Sequence, residues 1–182
     1  MSDCGTIPSL LTPIPDVLSM PLEIERKFLL RSDAWRSEVG RARRMAQGYL
    51  VNTGGRTSIR VRVAGDDARL NIKAAVVGAA RAEFDYPVPL TDAQEMLDTL
   101  SVGRVEKTRH FIERDGLIWE IDEFHLENEG LVVAEVELTS VDQAIITPDW
   151  LGSEVTALSR YYNHQLALRP FSQWSQTERG GN

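Results

Sequence analysis

The chain has 182 residues, 42% of them hydrophobic, and a formal net charge of −7. This length suits one domain with a packed core, and no apolar run reaches the roughly 18 residues of a membrane-spanning helix. The negative net charge argues against a nucleic-acid partner. The single cysteine, Cys4, excludes an intrachain disulfide and a cysteine metal cluster, which fits a reducing cytoplasm.

The first part of the chain predicts an extension rather than a folded segment. Residues 1–19 contain three prolines, and they lack the basic start and apolar centre of a secretory signal. We expect a flexible extension over 1–19, a domain over 20–170 that begins at Met20, and a disordered tail over 171–182. Without a secretory signal or an apolar span, the sequence predicts a cytoplasmic protein.

Alternating polarity predicts that most of the chain from Leu22 to Thr139 forms strands. The intervening segments NTGGR, AGDD, RDG and ENEG are typical of short turns. Short turns predict antiparallel neighbours, and about eight such strands are enough to close a barrel. The predicted strands are 22–30, 43–51, 56–64, 68–75, 81–89, 103–113, 116–124 and 131–140.

Three helices are expected beside the strands. SDAWRSEV would begin at Ser32 or Asp33 as N-cap, and TDAQEMLDTL would follow Thr91 as its cap. GSEVTALSRYYNHQLAL would form the last helix, in one piece or two. The predicted fold class is therefore α+β but mainly β: an eight-stranded antiparallel closed barrel, or tunnel, with flanking helices.

Charged side chains occupy alternate positions on these strands. In TSIRVRV, for example, Arg60 and Arg62 share one face while Ile59, Val61 and Val63 share the other. On one strand this pattern is typical of a solvated face, but here it recurs on seven strands. In a closed barrel the apolar face would pack against the helices, so the charged face would line the interior. The alternating charged residues are Glu23, Glu25, Lys27, Arg60, Arg62, Lys73, Glu83, Asp85, Lys107, Arg109, Glu120, Asp122, Glu135 and Glu137.

A charged interior needs compensation, because burying like charges together is costly. Arginine and lysine side chains bind phosphate oxygens, and carboxylates suit Mg²⁺ or Mn²⁺, which bridge phosphates. A chain of phosphates carried with a divalent metal would therefore satisfy both sets. On this interpretation Glu23 and Glu25 bind metal while Lys27 contacts phosphate, unless Lys27 instead tunes the protonation of a neighbour.

EIERKF matches the E-x-E-x-K signature of a known family, and further motifs follow in that family's order: IRVR, NIK, EFDY, KTRH, WEIDEF, AEVEL and SRYYN. Over residues 21–170 the chain resembles the CYTH superfamily, the triphosphate tunnel metalloenzymes, in their short bacterial single-domain form. The resemblance implies an eight-stranded antiparallel tunnel that binds triphosphates with divalent metal. One departure is Asp85, where Glu is more usual.

The resemblance also implies roles for the charged residues. The catalytic candidates are Lys27, Glu23 and Glu25. The substrate-binding candidates are Lys27, Arg60, Arg62, Lys73, Lys107 and Arg109. The metal candidates are Glu23, Glu25, Glu83, Asp85, Asp122, Glu135 and Glu137.

The expected activity is hydrolysis of a triphosphate that depends on Mg²⁺ or Mn²⁺, with inorganic tripolyphosphate cleaved to pyrophosphate and phosphate. A class IV adenylate cyclase, a thiamine triphosphatase and a non-catalytic polyphosphate-binding module share the same charges and stay open as alternatives. The expected partner is an inorganic or organic triphosphate, with no nucleic acid and no membrane. An exposed apolar barrel face would also suit a homodimer.

Other side chains receive plainer predictions. His110 lies on the face opposite Lys107 and Arg109 and should pack outward. Tyr161 and Tyr162 could cover one tunnel mouth, with at least one of them in the core. The tryptophans predicted to be packing residues are Trp35, Trp119 and Trp150.

Overall fold

The computed structural model describes residues 24–51, 57–74 and 83–179. Within these residues one antiparallel sheet contains nine strands in the order β5-β4-β3-β2-β6-β7-β8-β1-β9. The strands are β1 (Ile24–Leu30), β2 (Arg41–Tyr49), β3 (Thr57–Ala64), β4 (Asp67–Ala74), β5 (Glu83–Pro87), β6 (Gly103–Arg114), β7 (Leu117–Phe124), β8 (Val132–Leu138) and β9 (Leu151–Glu154). The helices are α1 (Leu90–Thr99), α2 (Asn163–Leu168) and α3 (Gln176–Arg179).

The eight predicted strands are all present, but the prediction of a closed eight-stranded barrel is wrong. The sheet has β5 and β9 at its two edges, and in the described part of the chain no ladder joins them. The physical reason is the ninth strand. β1 pairs with β8 along one edge and with β9 along the other, at Phe28 and Leu30, so β1 has no free edge for β5.

The strand β9 and the short helix α2 lie where the last helix was expected, in one piece or two. Gly152 permits the pairing, because a Cβ at this position would lie 2.8 Å from the carbonyl oxygen of Leu29. The backbone N–H of Val155 then donates to the carbonyl of Lys27 at 2.8 Å. Pairing with a distant strand therefore outweighs the local helical pattern of this segment.

The other helix predictions hold in outline. Asp33–Glu38 forms a 3₁₀ helix with Ser32 at the N-cap position, although Ser32 makes no side-chain capping bond. α1 begins at Leu90 with Pro89 as its N-cap, so Thr91 lies inside the helix and the predicted cap is wrong. The hydroxyl of Thr91 donates instead to Asp92.

Three apolar clusters support the sheet. The first packs on one face of β1, β6, β7 and β8 and contains Trp35, Trp119 and Trp150, each 1% exposed, as predicted for packing residues. The second joins the C-terminal segments to the other face, through Val105, Phe124, Val133, Tyr161, Leu166 and Trp174. The third packs α1 against β3 and β4.

The segment after Pro170 is folded as far as Arg179, whereas the sequence predicts disorder there. Trp174 is 4% exposed and its ring centroid lies 5.0 Å from that of Tyr161. Glu178 accepts hydrogen bonds from Arg169, at 2.7 Å and 2.9 Å, and from the backbone and hydroxyl of Ser175. The segment is too short to show helical periodicity, so the sequence did not indicate that Trp174 would hold it in place.

The predicted extension over 1–19 lies outside the described residues, as does the end of the chain after Arg179. Among the described helices none combines the length and apolar character needed to cross a membrane.

The close packing of α2 on β6 gives a test of this fold. A Cβ at Gly103 would lie 2.5 Å from the carbonyl oxygen of Ala167, a backbone atom that moves only with α2. We expect Gly103→Ala to lower the free energy of unfolding by about 1–3 kcal/mol, measured by urea denaturation. Gly40→Ala is the control, because the nearest atom there is 3.8 Å away. Equal stability of the two variants would show that α2 does not pack as described.

Candidate functional site

The strand register gathers the alternating charges onto one side of the sheet, here called the ionic face. Arg109 stands opposite Asp122, and Glu120 stands opposite Glu135. Glu135 in turn stands opposite Lys27 on β1. Because paired residues in an antiparallel ladder project to the same side, these side chains converge. His110 projects to the other side, where it contacts Glu123 at 3.1 Å and the ring of Trp35, as predicted.

Six of these residues, all buried or partly buried, form one connected group, the central ion cluster. Its ion pairs set three cations against three carboxylates, and the exposed Glu25 contacts Lys27 at the edge of the cluster. The members are Lys27, Lys107, Arg109, Glu120, Asp122 and Glu135.

Asp122 is the anchor of the central ion cluster. It is fully buried and accepts two hydrogen bonds of 2.7 Å from Arg109, one on each carboxylate oxygen. The ammonium of Lys107 also donates to it. The two oxygens of Asp122 are therefore engaged by cations of the chain itself.

Glu135 connects the anchor to β1. It accepts from Arg109 at 2.8 Å and from Lys27 at 2.6 Å. Burial works to raise the pKa of Glu135, but Arg109, Lys107 and Lys27 together lower that pKa to about 2. Glu135 therefore stays ionised throughout the neutral range.

Lys27 lies between two carboxylates at the edge of the cluster. Its ammonium is 2.6 Å from Glu135 and 3.0 Å from Glu25. Burial disfavours the charged form of Lys27, yet the two carboxylates raise its pKa above the ordinary value. The ring centroid of Tyr162 lies 5.6 Å from the same ammonium. Lys27 is thus a fixed positive charge that faces the ionic side of the sheet.

Lys107 and Glu120 have pKa values shifted in the direction of their neutral forms. Burial, and then the charge of Arg109, lower the pKa of Lys107 despite the opposing effect of Asp122. Burial likewise raises the pKa of Glu120, although Arg109 acts against it. Such shifts are typical of sites where charge is held ready for a ligand.

Arg60 and Arg62 on β3 differ from the cluster because neither forms an ion pair with a described residue, although Asp85 and Asp67 lie near enough to favour the charge of Arg62. None of the ion pairs in the described part of the chain involves either residue. The Nε of Arg60 is buried and, among the described residues, has no hydrogen-bond partner. Burial, followed by repulsion from Arg60, lowers the pKa of Arg62. These guanidinium groups are the ones that an incoming anion would stabilise.

The remaining predicted residues fall into three groups. Glu25 and Glu137 stand opposite each other on β1 and β8 and are exposed. Asp85 is paired with Arg69 at 3.1 Å. Glu23 lies outside the described residues, and Lys73 and Glu83 occupy strand positions whose side chains are not described.

A metal cluster is not complete within the described residues: no three His, Cys, Asp or Glu side chains there are arranged to hold an ion. The donor chemistry nevertheless differs between the candidates. Glu25 and Glu137 offer exposed carboxylate oxygens on facing strands, which suit Mg²⁺ or Mn²⁺. Asp122 does not suit a metal, because its oxygens already accept from Arg109 and Lys107.

Several residues on the ionic face were missed by the sequence analysis. Arg41 precedes the interval predicted for β2, and Arg43 is its first residue. The sequence RARRMAQGY nevertheless alternates with the same period of two as the other strands. Gln47 also lies on this face, stands opposite Arg62 and is 3% exposed. The signal was present in the period of two, but the start of β2 was placed two residues too late.

One end of the ionic face is closed by the chain itself. Val105, Phe124 and Val133 share this face and pack in the second apolar cluster against Tyr161 and Leu166. Tyr161 is 1% exposed, so it belongs to the core as predicted for one of the two tyrosines. At the other end, exposure rises along the strands through Glu120, Arg43, Glu25 and Glu137. A ligand would therefore enter from this second, open end.

Known proteins share both the sequence and the fold. The CYTH domain family matches residues 21–167. An inorganic triphosphatase of Acetivibrio thermocellus is 39% identical over 158 residues, which cover 86% of this chain and 100% of that protein. An inorganic triphosphatase of Nitrosomonas europaea is 35% identical over 149 residues, 80% of this chain and 97% of that protein.

Among solved structures, the crystal structure of the inorganic triphosphatase NE1496 is similar, with a TM-score of 0.64 and 34% identity. The match covers 80% of this chain and 94% of that one. The family match covers most of the chain, and the two relatives align along nearly their whole length. These findings agree with the motif order and with the charged face of the sheet. The chain belongs to the CYTH family.

Proposed function

We propose that this chain is an inorganic triphosphatase that requires Mg²⁺ or Mn²⁺ and cleaves tripolyphosphate to pyrophosphate and phosphate. The observation that carries the proposal is the ionic face, where the central ion cluster adjoins two arginines, Arg60 and Arg62, that form no ion pair with any described residue. Two relatives that align over nearly their whole length are named inorganic triphosphatase, and they support the same activity.

Substrate binding is assigned to the cations that have room for an anion. Arg60 and Arg62 offer planar guanidinium groups that can each hold two phosphate oxygens. Lys27 contributes a point charge at the edge of the cluster, and Lys107 and Arg109 are further candidates inside it that are already paired with carboxylates. Phosphoryl transfer is accelerated mainly by such positioning and charge neutralisation.

Metal binding is assigned to the exposed carboxylates of β1 and β8. Glu25 and Glu137 would hold the ion together with Glu23. When bound, a divalent cation neutralises phosphate charge and lowers the pKa of a coordinated water. Glu135 stays ionised with a pKa of about 2, and it keeps Lys27 and Arg109 in place beside this site.

The closed end of the ionic face favours an inorganic substrate. The second apolar cluster fills that end with Val105, Phe124 and Leu166, each less than 3% exposed. A nucleoside or a thiamine group would need space that these side chains occupy. Tripolyphosphate needs only the charged part of the face, so this geometry supports it over the adenylate cyclase and thiamine triphosphatase alternatives.

The location and assembly of the enzyme are also proposals. The single cysteine supports a cytoplasmic enzyme. Phe84 and Tyr86 are 53% and 51% exposed on the edge strand β5, which would suit contact with a second copy.

A substrate panel tests the proposed activity. We expect phosphate release from tripolyphosphate with Mg²⁺ or Mn²⁺, and little release from ATP or thiamine triphosphate. Glu25→Gln should reduce turnover about 100-fold or more because a metal ligand is lost, whereas the exposed loop variant Glu127→Gln should match the wild type. Tight tripolyphosphate binding without any turnover would identify a binding module instead, and cyclic AMP formation from ATP would identify a cyclase.

Removing Arg62 should separate activity from stability. Arg62 is partly buried without an ion pair among the described residues, so Arg62→Gln should leave the melting temperature unchanged or raise it. Loss of a phosphate-binding charge should lower kcat/KM, and the decrease should correspond to about 2–4 kcal/mol of lost transition-state stabilisation. Arg69→Gln is the matched control, since Arg69 is already paired with Asp67 and Asp85. Parallel losses of activity and stability in Arg62→Gln would contradict the binding role.

Asp122→Asn should reveal an anchor rather than a metal ligand. The substitution would leave Lys107 and Arg109 buried with too few carboxylates, at a cost of about 3–5 kcal/mol in folding free energy. Urea unfolding in the presence of a chelator would measure this loss of stability. If Asp122 were only a metal ligand, the substitution would not lower stability once the chelator had removed the metal. Asp85→Asn, which removes a more exposed pair, should cost no more than about 1 kcal/mol.

A further inference from the structure

Arg41 and Arg43 lie on the ionic face, outside the set of cations assigned above. The register places Arg43 opposite Arg109 and Arg41 opposite Phe111. Phe111 stands opposite Glu120, so both arginines border the central ion cluster at its open end. Arg44, the residue after Arg43, projects to the other side and pairs with Glu106 at 3.0 Å.

Arg41 is held in place without being neutralised. Its guanidinium carbon lies 4.0 Å from the ring centroid of Phe111, and stacking of this kind fixes the plane while leaving the N–H edges available. Arg41 is exposed, and none of the ion pairs formed by the described residues involves it. The result is an oriented positive charge without an acidic partner in the described chain.

Arg43 is oriented by the turn between β3 and β4. One of its N–H groups donates to the carbonyl of Ala64, and the nearest carboxylate, Asp67, is 4.0 Å away. The side chain is 44% exposed. Arg43 therefore presents a guanidinium group next to Arg109, but it is more exposed to solvent than Arg109 is.

The overall charge of the protein makes this position consequential. A tripolyphosphate anion approaching a chain of net charge −7 is repelled at long range. The exposed carboxylates Glu25 and Glu137 add to the repulsion at the open end. A local cationic surface on the approach path would offset this repulsion, and Arg41 and Arg43 are placed there.

We propose that Arg41 and Arg43 form an entrance subsite that binds the phosphate chain before it reaches Arg60, Arg62 and the central ion cluster. The subsite takes a linear inorganic phosphate anion, and it acts on association rather than on the chemical step. This inference rests on the proposed function for the identity of the substrate.

The test compares Arg41→Gln and Arg43→Gln with Arg44→Gln, which removes the same charge from the same strand on the opposite face. At low ionic strength, we expect the first two to lower kcat/KM for tripolyphosphate by about threefold to tenfold with kcat unchanged. Arg44→Gln should stay within about twofold of the wild type. The difference should shrink as salt is raised to about 0.3 M, where the screening length is shorter.

Three outcomes would overturn the inference: equal effects of all three variants, no effect of Arg41→Gln and Arg43→Gln, or a loss confined to kcat. Arg41→Lys keeps the charge and should retain most of the activity, so an equal loss in Arg41→Lys and Arg41→Gln would also overturn it. Melting temperatures of all variants identify any that lose activity through unfolding.

A binding measurement separates this inference from the proposed activity. Titration calorimetry with tripolyphosphate in the absence of metal gives the dissociation constant of each variant. If the wild type hydrolyses nothing but Arg41→Gln and Arg43→Gln bind more weakly than Arg44→Gln, the proposed activity fails and the entrance subsite stands. Equal dissociation constants in the three variants would overturn the subsite, whatever the activity.

Discussion

The structure depends on the neutralisation of charges that the sheet buries on one face. Asp122 has no exposed surface, and Lys107 beside it is 2% exposed. Leaving such groups unpaired would cost several kilocalories per mole each. The bidentate contact between Arg109 and Asp122 removes that cost at the centre of the sheet. Glu120 and Glu135 both contact Arg109 of this pair, and Glu135 in turn contacts Lys27, so the cluster extends outward from the pair.

Away from this centre the neutralisation becomes incomplete, and there the site becomes available to a ligand. Arg60 and Arg62 carry charge into a partly buried environment without forming an ion pair in the described chain. A fold selected for stability alone would pair or remove them. Their retention is understandable when a polyanion supplies the missing negative charge. The division into a satisfied cluster and unsatisfied arginines therefore separates residues that hold the site together from residues that bind.

The C-terminal segments give this face its direction. Tyr161, Leu166 and Trp174 pack against Val105 and Phe124, so one end of the ionic face is occupied by apolar side chains of the same chain. The opposite end keeps its exposed carboxylates and arginines. Because both ends belong to the same strands, the direction of approach is set by what the C-terminal segment covers, and not by the strands themselves.

Much of the ionic face could be predicted from the sequence, because the side-chain period of a strand is two and every charged pair shares that period. Arg60 with Arg62, and Lys107 with Arg109, were placed on the correct faces for this reason. Arg41 was missed because the start of a strand is marked only weakly when arginine and alanine alternate there.

The sequence by itself determined which residues share a face and that this face carries enough charge to require compensation. Only the tertiary structure decided that Asp122 pairs with cations, that β9 takes the second edge of β1, and that the segment around Trp174 folds. Each of these depends on contacts between residues distant along the chain, with Lys27 and Val155 as one example. A periodic pattern reports the local backbone geometry that produces it, whereas such contacts leave no local trace.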